Sequence, residues 1–121
     1  MILADTSIWI AYLRGKEEIA EVFESYLNRR EIVAVSAVFG ELLQGVWNKR
    51  EKKIVMLFWE NLPKIDEEGL FIDAGDISQK NDLFSKGIGL IDCYLLAAAK
   101  RSDAFLWTLD KKLIQVLNLH E

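Results

Sequence analysis

The sequence predicts an α/β fold, because short strands alternate with helices along the chain. Three apolar runs of strand character, Ile2–Asp5, Ile32–Val35 and Ala104–Thr108, are separated by segments whose apolar residues follow helical spacing. Helices that connect successive strands of one sheet favour parallel pairing and cover both of its faces. We therefore expect a single domain over residues 1–121, built as a three-layer sandwich around a parallel sheet.

Bulk composition supports one soluble domain. With 121 residues, of which 51% are hydrophobic, the chain is long enough to bury a core. The single Cys excludes an internal disulfide, and Cys93 with the single His120 cannot make a zinc cage. No basic leader precedes the first strand, and no apolar run approaches the roughly 18 residues of a membrane span. We expect a cytoplasmic protein in which Cys93 serves packing and His120 has no role.

The first half of the chain alternates strands with pairs of helices. Either Thr6 or Ser7 can cap the first helix, and Ser36 can cap the third, because short hydroxyl side chains accept hydrogen bonds from free helix amides. The predicted elements are a strand at Ile2–Asp5, a helix through Leu13, a helix over 17–29, a strand at Ile32–Val35, a helix from Ser36 through Trp47, and a helix over 50–61.

The second half continues the alternation. Asp66 can cap a long helix, and two glycines, Gly87 and Gly89, predict a turn before the most apolar helix. The predicted elements are an extended piece at Leu62–Ile65, a helix over Glu67–Ser85, a helix over Leu90–Arg101, a strand at Ala104–Thr108, and a short helical turn at Lys111–Val116.

Four acidic residues occupy comparable places in this layout. Asp5 and Asp110 directly follow strands, Glu41 lies in the helix after the second strand, and Asp92 opens the apolar helix. The C-terminal ends of parallel strands share one edge of a sheet, so these acids could meet there. Two carboxylates about 4 Å apart repel by roughly 4 kcal/mol at an effective dielectric of 20, which a cation would relieve. Oxygen ligands without His or Cys favour Mg²⁺ or Mn²⁺.

Each acid also has a simpler explanation. Asp5 and Asp92 stand at helix starts, where a carboxylate is stabilised by about 0.3–1 kcal/mol through the helix dipole. Glu41 fits that explanation less well, because its neighbours Phe39 and Leu42 suggest an acid near an apolar face, and burying an unpaired carboxylate is costly.

Four segments of the chain resemble the four acidic motifs of PIN domains. They are Met1–Ser7, Ser36–Leu42, Gly89–Ala99 and Leu106–Asp110, which cover essentially the whole chain in the family's order. The resemblance is closest to VapC-type toxins of bacterial and archaeal toxin–antitoxin pairs. It implies a Mg²⁺- or Mn²⁺-dependent endoribonuclease that hydrolyses RNA phosphodiesters with metal-activated water, and a central parallel sheet of about five strands.

The resemblance also assigns roles to individual residues. The acidic positions of the family, catalytic and metal-binding, correspond to Asp5, Glu41, Asp92 and Asp110, and its supporting hydroxyl positions correspond to Thr6 or Ser7 and to Thr108. It further implies a homodimer and inhibition by a small cognate antitoxin whose tail covers the active groove. The chain departs from the family at Lys111-Lys112-Leu113, where many relatives have a polar residue and an aromatic, and at Cys93, where a small residue is usual.

Basic and aromatic residues are sorted by their positions. The candidate RNA contacts, near loops that flank the predicted edge, are Arg14, Lys86, Lys111 and Lys112. The basic run over 49–53 is more typical of a solvated helix face. Most of the following aromatic residues are expected in the core, with some in a dimer patch, since interfaces are enriched in Trp and Tyr: Trp9, Tyr12, Trp47, Phe58 and Trp59.

Two other functions remain open. One is a PIN-type RNA-processing nuclease that has no antitoxin. The other is a catalytically idle module whose acidic pocket captures a basic partner tail. An aspartyl phosphatase is disfavoured, because Asp5 has no second Asp two residues further on.

Overall fold

The computed structural model describes the backbone of residues 1–119 and the side chains of residues 1–118, so that His120 lies outside the described residues. None of the helices in this range is long and apolar enough to cross a membrane. The elements, in chain order, are β1 Ile2–Ala4, α1 Thr6–Leu13, α2 Glu17–Asn28, β2 Ile32–Val33, α3 Ser36–Gln44, α4 Lys49–Asn61, α5 Leu70–Lys80, α6 Leu90–Ser102, β3 Phe105–Trp107 and α7 Lys111–Leu119.

The strands form a parallel sheet in the order β2-β1-β3. Helices α1 and α2 connect β1 to β2, and helices α3 to α6 connect β2 to β3. This confirms the predicted α/β class. Because β1 is central and pairs with β3, the backbone N–H of Asp5 donates to the carbonyl of Trp107 at 3.0 Å. The chain therefore leaves these two strands side by side at the same edge of the sheet.

The expectation of about five strands is wrong for the described residues, which form three. The extended piece at Leu62–Ile65 approaches β2, but it makes only an isolated parallel bridge between Ala34 and Lys64. Ala34 donates to the Pro63 carbonyl at 2.8 Å, and Ile65 donates back to Ala34 at 3.2 Å. Since Pro63 has no N–H group, the ladder cannot extend further toward the start of this piece.

The chain is helical from Lys111 to Leu119, after a short non-helical stretch at residues 108–110. The short turn predicted at Lys111–Val116 is a full helix, α7, in which Leu113 and Val116 are buried. These two residues are three positions apart, which is the spacing of one helical face, and their burial accounts for the helix.

Helix starts differ from the predicted caps. Asp5, and neither Thr6 nor Ser7, caps α1, since its carboxylate accepts from the N–H of Ile8. Ser36 is the first residue of α3, and the preceding Val35 offers no side-chain cap. The Ser36 N–H at the start of α3 is satisfied instead from elsewhere in the chain, by the Glu67 carboxylate at 2.9 Å.

The helix predicted at Glu67–Ser85 is shorter at both ends. Gly69 adopts a left-handed conformation with φ of +69°, so α5 begins only at Leu70. At the other end Asp82 is also left-handed, with φ of +53°, and the chain leaves the helix after Lys80. A left-handed residue cannot continue a right-handed helix.

An aromatic cluster fixes the helices that lead to the sheet edge. The buried Trp9 of α1 packs edge-on against Phe23, Phe39 and Phe58 with ring centroids 4.7, 5.1 and 5.1 Å away. Burying a large apolar side chain stabilises a fold by about 1.5–3 kcal/mol, so this cluster holds α1, α2, α3 and α4 together. Of the two places expected for Trp47, the core is wrong, because its side chain is 70% exposed.

Candidate active site

The structure brings the four predicted acids to one region at the C-terminal edge of the sheet. Burial raises the pKa of Asp92, and the charges of Asp110, Asp5 and Glu41 raise it further, in that order. Charges act on one another in this way only over short distances. The acids that are far apart in sequence are therefore neighbours in space.

Asp5 is the most tightly held of the four, and its residue is only 6% exposed. Its Oδ1 accepts from Ser7 Oγ at 2.5 Å and from the Ile8 N–H at 3.1 Å, while its Oδ2 accepts from Thr108 Oγ1. Asp5 is thus an ordinary helix cap for α1 and, through Thr108, a link to the end of β3. Asp5 therefore has both roles: it caps a helix, as the simpler explanation states, and it is also one of the four clustered acids.

Asp110 is exposed and fixed by local bonds. Its N–H donates to Thr108 Oγ1 at 3.0 Å, and its Oδ1 accepts from the N–H groups of Lys112 and Leu113 at 2.8 and 3.3 Å. These bonds make Asp110 the cap of α7. Its Oδ2 receives no hydrogen bond from the described part of the chain.

Glu41 and Asp92 are held less firmly. Glu41 is exposed, contrary to its predicted place near an apolar face, because the preceding helical turn presents Val38 and Phe39 to the core while Glu41 points outward. Its Oε1 accepts from Thr6 Oγ1 at 2.7 Å. Asp92 lies half-buried in the first turn of α6, and its carboxylate makes no hydrogen bond to any described group.

The chemistry of these groups fits a hard divalent cation, although their positions do not enclose one. Within residues 1–118, no three Asp, Glu, His or Cys side chains are close enough to hold an ion. The region offers carboxylate and hydroxyl oxygens, which Mg²⁺ and Mn²⁺ prefer. Glu41 Oε2, Asp110 Oδ2 and both carboxylate oxygens of Asp92 accept no hydrogen bond from the described residues. Rotation of the exposed side chains would be needed for them to share an ion.

The sequence analysis missed Glu67, which supplies the cap that α3 lacks. Its carboxylate accepts from the Ser36 N–H at 2.9 Å, from Ser36 Oγ at 2.6 Å and from the Tyr94 hydroxyl. Burial, and then the bond to Glu67, raise the pKa of Tyr94 to about 12, so this hydroxyl remains a donor at neutral pH. Glu67 joins α3, which carries Glu41, to α6, which carries Asp92.

Arg101 of α6 secures the same connection. Its guanidinium donates to the carbonyls of Asp66 and Glu68 at 2.9 and 2.6 Å and pairs with Asp73 at 2.7 Å.

No local pattern pairs Glu67 with Ser36, which is 31 positions away. The available signal was an acid two residues after the extended piece at Leu62–Ile65, close to the same sheet edge.

Of the four candidate RNA contacts, two are partly engaged by the protein. Lys86 Nζ donates to the Asn81 carbonyl at 3.1 Å, and Lys112 Nζ lies against Gly87, 3.1 Å from where a Cβ would stand. Lys111 is exposed. Arg14, also exposed, covers one face of the Trp47 indole.

Two cavities lie near these residues. A groove of about 110 Å³ is lined by both Arg14 and Glu41. The larger cavity, about 690 Å³, runs along β3 and α7, and it touches Thr108 but none of the four acids. The smaller groove therefore reaches one of the four acids, and the larger cavity is separate from them.

Comparison with known proteins agrees with this architecture. The family model described as "PIN domain" matches residues 2–118. Among solved structures, the crystal structure of FitAcB from Neisseria gonorrhoeae has a similar fold, with a TM-score of 0.65 over 98% of this chain and 94% of that one, at 19% identity. No curated protein matches the sequence. The match of the family model to nearly the whole chain shows that this protein belongs to the PIN domain family.

Proposed function

We propose that this protein is a Mg²⁺- or Mn²⁺-dependent endoribonuclease and the toxin of a toxin–antitoxin pair, acting in the cytoplasm. The observation that carries the proposal is the convergence of four acids at one sheet edge, where burial and then the charges of Asp110, Asp5 and Glu41 raise the pKa of Asp92. Like charges gathered in this way favour a cation. Membership of the PIN family, whose members are generally nucleases, supports hydrolysis of a phosphodiester.

In the proposed reaction, Asp5, Glu41, Asp92 and Asp110 would hold a divalent cation through their negative charge. Such a cation would supply activation of water and stabilisation of the departing oxygen of the RNA phosphodiester. Thr108 and Ser7 hold both oxygens of Asp5 in fixed directions, and Thr6 orients Glu41. No lysine or histidine among the described residues is needed as a base in this scheme.

Cleavage of a panel of tRNA, rRNA and mRNA with Mg²⁺, Mn²⁺ or EDTA tests the proposal. We expect EDTA to abolish cleavage, and Asp5→Asn or Asp92→Asn to lower kcat/KM by on the order of 10²–10³-fold. Asn remains a good helix cap, so Asp5→Asn should stay folded. Asp76→Asn, which alters only the exposed pair of Asp76 with Lys80, is the matched control and should cleave normally. Cleavage that persists in EDTA and in both site variants contradicts the proposal.

The partners are part of the same proposal. Exposed apolar side chains favour protein contacts, and several occur on α5, the following turn and the start of α6: Phe71, Ile72, Phe84, Leu90 and Ile91. We expect a homodimer, measurable by light scattering, and a small antitoxin that covers the acidic region and blocks cleavage. A neighbouring gene for such a protein separates the toxin from an RNA-processing nuclease without antitoxin.

One observation favours the idle binding module. As the side chains stand, no three acidic groups in residues 1–118 lie close enough to hold an ion. Calorimetry with Mn²⁺ distinguishes the two functions. Binding that is lost in Asp92→Asn supports the nuclease, whereas absence of Mn²⁺ binding together with absence of cleavage supports the module.

A further inference from the structure

Trp47 is displayed on the surface beside the acidic region. Its side chain is 70% exposed, whereas the indole of Trp9 is buried and those of Trp59 and Trp107 are partly buried. The guanidinium of Arg14 lies 3.7 Å from the centroid of the Trp47 ring. A cation held over one face of an indole keeps the ring oriented. The rest of the ring is open to solvent, and packing within this chain does not account for it.

The backbone holds Trp47 at a defined point before α4. The Trp47 N–H donates to the Glu51 carboxylate at 2.9 Å, and the N–H of Glu51 donates to Asn48 Oδ1 at 2.9 Å. This reciprocal arrangement resembles a capping box, which fixes the residues at a helix start. Trp47 is therefore a positioned aromatic side chain rather than one on a free loop.

The position of Trp47 connects it to Glu41. Arg14, which covers the indole, lines the same groove of about 110 Å³ as Glu41. On the other side of Trp47, helix α4 begins with exposed basic side chains that form no ion pair within the described residues: Lys49, Arg50, Lys52 and Lys53. Arg14 and Glu41 thus share a groove, which Glu51 also lines, while an exposed aromatic ring lies against Arg14 and a run of cations follows that ring in the chain.

We propose that Trp47 and Arg14 form a stacking subsite for an unpaired nucleobase of single-stranded RNA. The inference rests on the proposed function, since it places the substrate strand next to Glu41. Unpaired bases stack on aromatic rings and on arginine planes, while lysine and arginine side chains neutralise the adjoining phosphates. An apolar protein segment docked on Trp47 would use the ring but leave the four cations of α4 without anionic partners, whereas an RNA strand supplies both a base and phosphates.

Binding of RNA to a non-cleaving protein tests this subsite. In the Asp92→Asn background, fluorescence anisotropy measures the affinity for a labelled random-sequence RNA of about 12 nucleotides. We expect Trp47→Ala to weaken binding about tenfold and Trp47→Phe to restore most of the loss, because stacking needs an aromatic face. Phe105→Ala removes another exposed aromatic, at the start of β3 and outside the groove, and is the matched control that should bind normally.

The dependence on salt separates stacking from charge. Loss of a stacked base releases no counterions, so Trp47→Ala should keep the slope of log affinity against log salt. Lys49→Gln together with Arg50→Gln should make that slope shallower. Undiminished affinity in Trp47→Ala overturns the subsite. So does a failure of Phe to restore binding, which would assign the loss to the indole N–H.

The subsite and the proposed function can fail separately. RNA binding that depends on Trp47 in a wild-type protein that cleaves nothing contradicts the nuclease and leaves the subsite standing. Cleavage with equal KM for wild type and Trp47→Ala supports the nuclease and contradicts the subsite. Normal RNA binding by Trp47→Ala with a changed oligomeric state would identify Trp47 as a contact between protein copies and would also overturn the subsite.

Discussion

The two halves of the acidic region differ in how firmly they are held. Asp5 is buried at the end of β1, and both of its carboxylate oxygens accept hydrogen bonds from Ser7, Ile8 and Thr108. Glu41 is exposed on α3 with one hydroxyl donor, and the Asp92 carboxylate receives no hydrogen bond from the described residues.

This difference distinguishes an acid that stabilises the fold from acids that remain available to bind a cation. The Asp5 half forms part of the fold, since Asp5 caps α1 and ties it to β3. The Asp92 carboxylate accepts no hydrogen bond from the described residues, and its burial and then the nearby negative charges raise its pKa. We call Asp5 and Asp110 the fixed half and Glu41 and Asp92 the free half. Such an arrangement suits a site that closes on a cation, and substitutions in the two halves should have unequal effects.

Thr108→Val should produce the largest loss of stability, because it breaks the fixed half. Valine has the shape of threonine but leaves two groups without their partner, the Asp5 carboxylate and the Asp110 N–H. An unsatisfied buried polar group costs about 1–3 kcal/mol. We expect the free energy of unfolding in urea to fall by about that amount. Thr108→Ser keeps the hydroxyl and is the matched control, and a similar loss in both variants would assign the effect to packing.

Glu67→Gln should have the next largest effect, because it weakens the support of the free half. The Glu67 carboxylate caps α3 through Ser36 and binds Tyr94 of α6. Loss of a helix cap costs about 0.5–2 kcal/mol. We expect thermal unfolding to shift accordingly and kcat of the proposed cleavage to fall more than KM rises. Glu68→Gln, at an exposed neighbouring carboxylate, should change neither, and equal losses in both variants would remove this role of Glu67.

The sequence predicted the fixed half better than its support. Asp5 and Asp110 follow strands directly, so their place at the sheet edge could be deduced from local pattern and parallel topology. The link from Glu67 to Ser36 spans 31 positions and depends on how the piece at Leu62–Ile65 meets β2, which local spacing does not encode. Trp47 was misplaced for a related reason, because apolar residues near a helix end do not reveal which of them face solvent.

Asp92→Asn tests the electrostatic side of the comparison through the pH dependence of stability. The folded-state pKa of Asp92 is raised, chiefly by burial and then by Asp110, Asp5 and Glu41, so ionised Asp92 disfavours the folded state. The free energy of unfolding of the wild type therefore falls as pH rises from the ordinary Asp pKa of about 3.9 through the raised value, because Asp92 ionises less readily in the folded state than in the unfolded one. Asp92→Asn should melt at a higher temperature than wild type at pH 7 and at a similar one below that window. Because Asp92 is partly exposed, solvent screens the effect.

Mn²⁺ should reverse the order of melting temperatures of wild type and Asp92→Asn at pH 7. A cation that binds only the folded protein stabilises it, so wild type should gain melting temperature while Asp92→Asn gains less. The matched control is Asp82→Asn. It changes an exposed acid that follows α5 and is not one of the four acids, and it should respond to Mn²⁺ as wild type does. Asp92→Asn that is no more stable than wild type at pH 7 without metal would show that the acids do not repel one another as described.

Thr6→Val should have the smallest effect and gives the sharpest contrast with Thr108→Val. Thr6 donates to Glu41 at 2.7 Å on the surface, where water can replace the lost hydroxyl. A solvent-accessible hydrogen bond of this kind contributes about 0.5–1.5 kcal/mol at most, so the free energy of unfolding should change little. The consequence should appear instead in calorimetry, as weaker Mn²⁺ binding when Glu41 loses its orientation, with Thr6→Ser restoring it. If Thr6→Val destabilised the fold as much as Thr108→Val, the division into a fixed and a free half would be wrong, because both hydroxyls would then be equally structural.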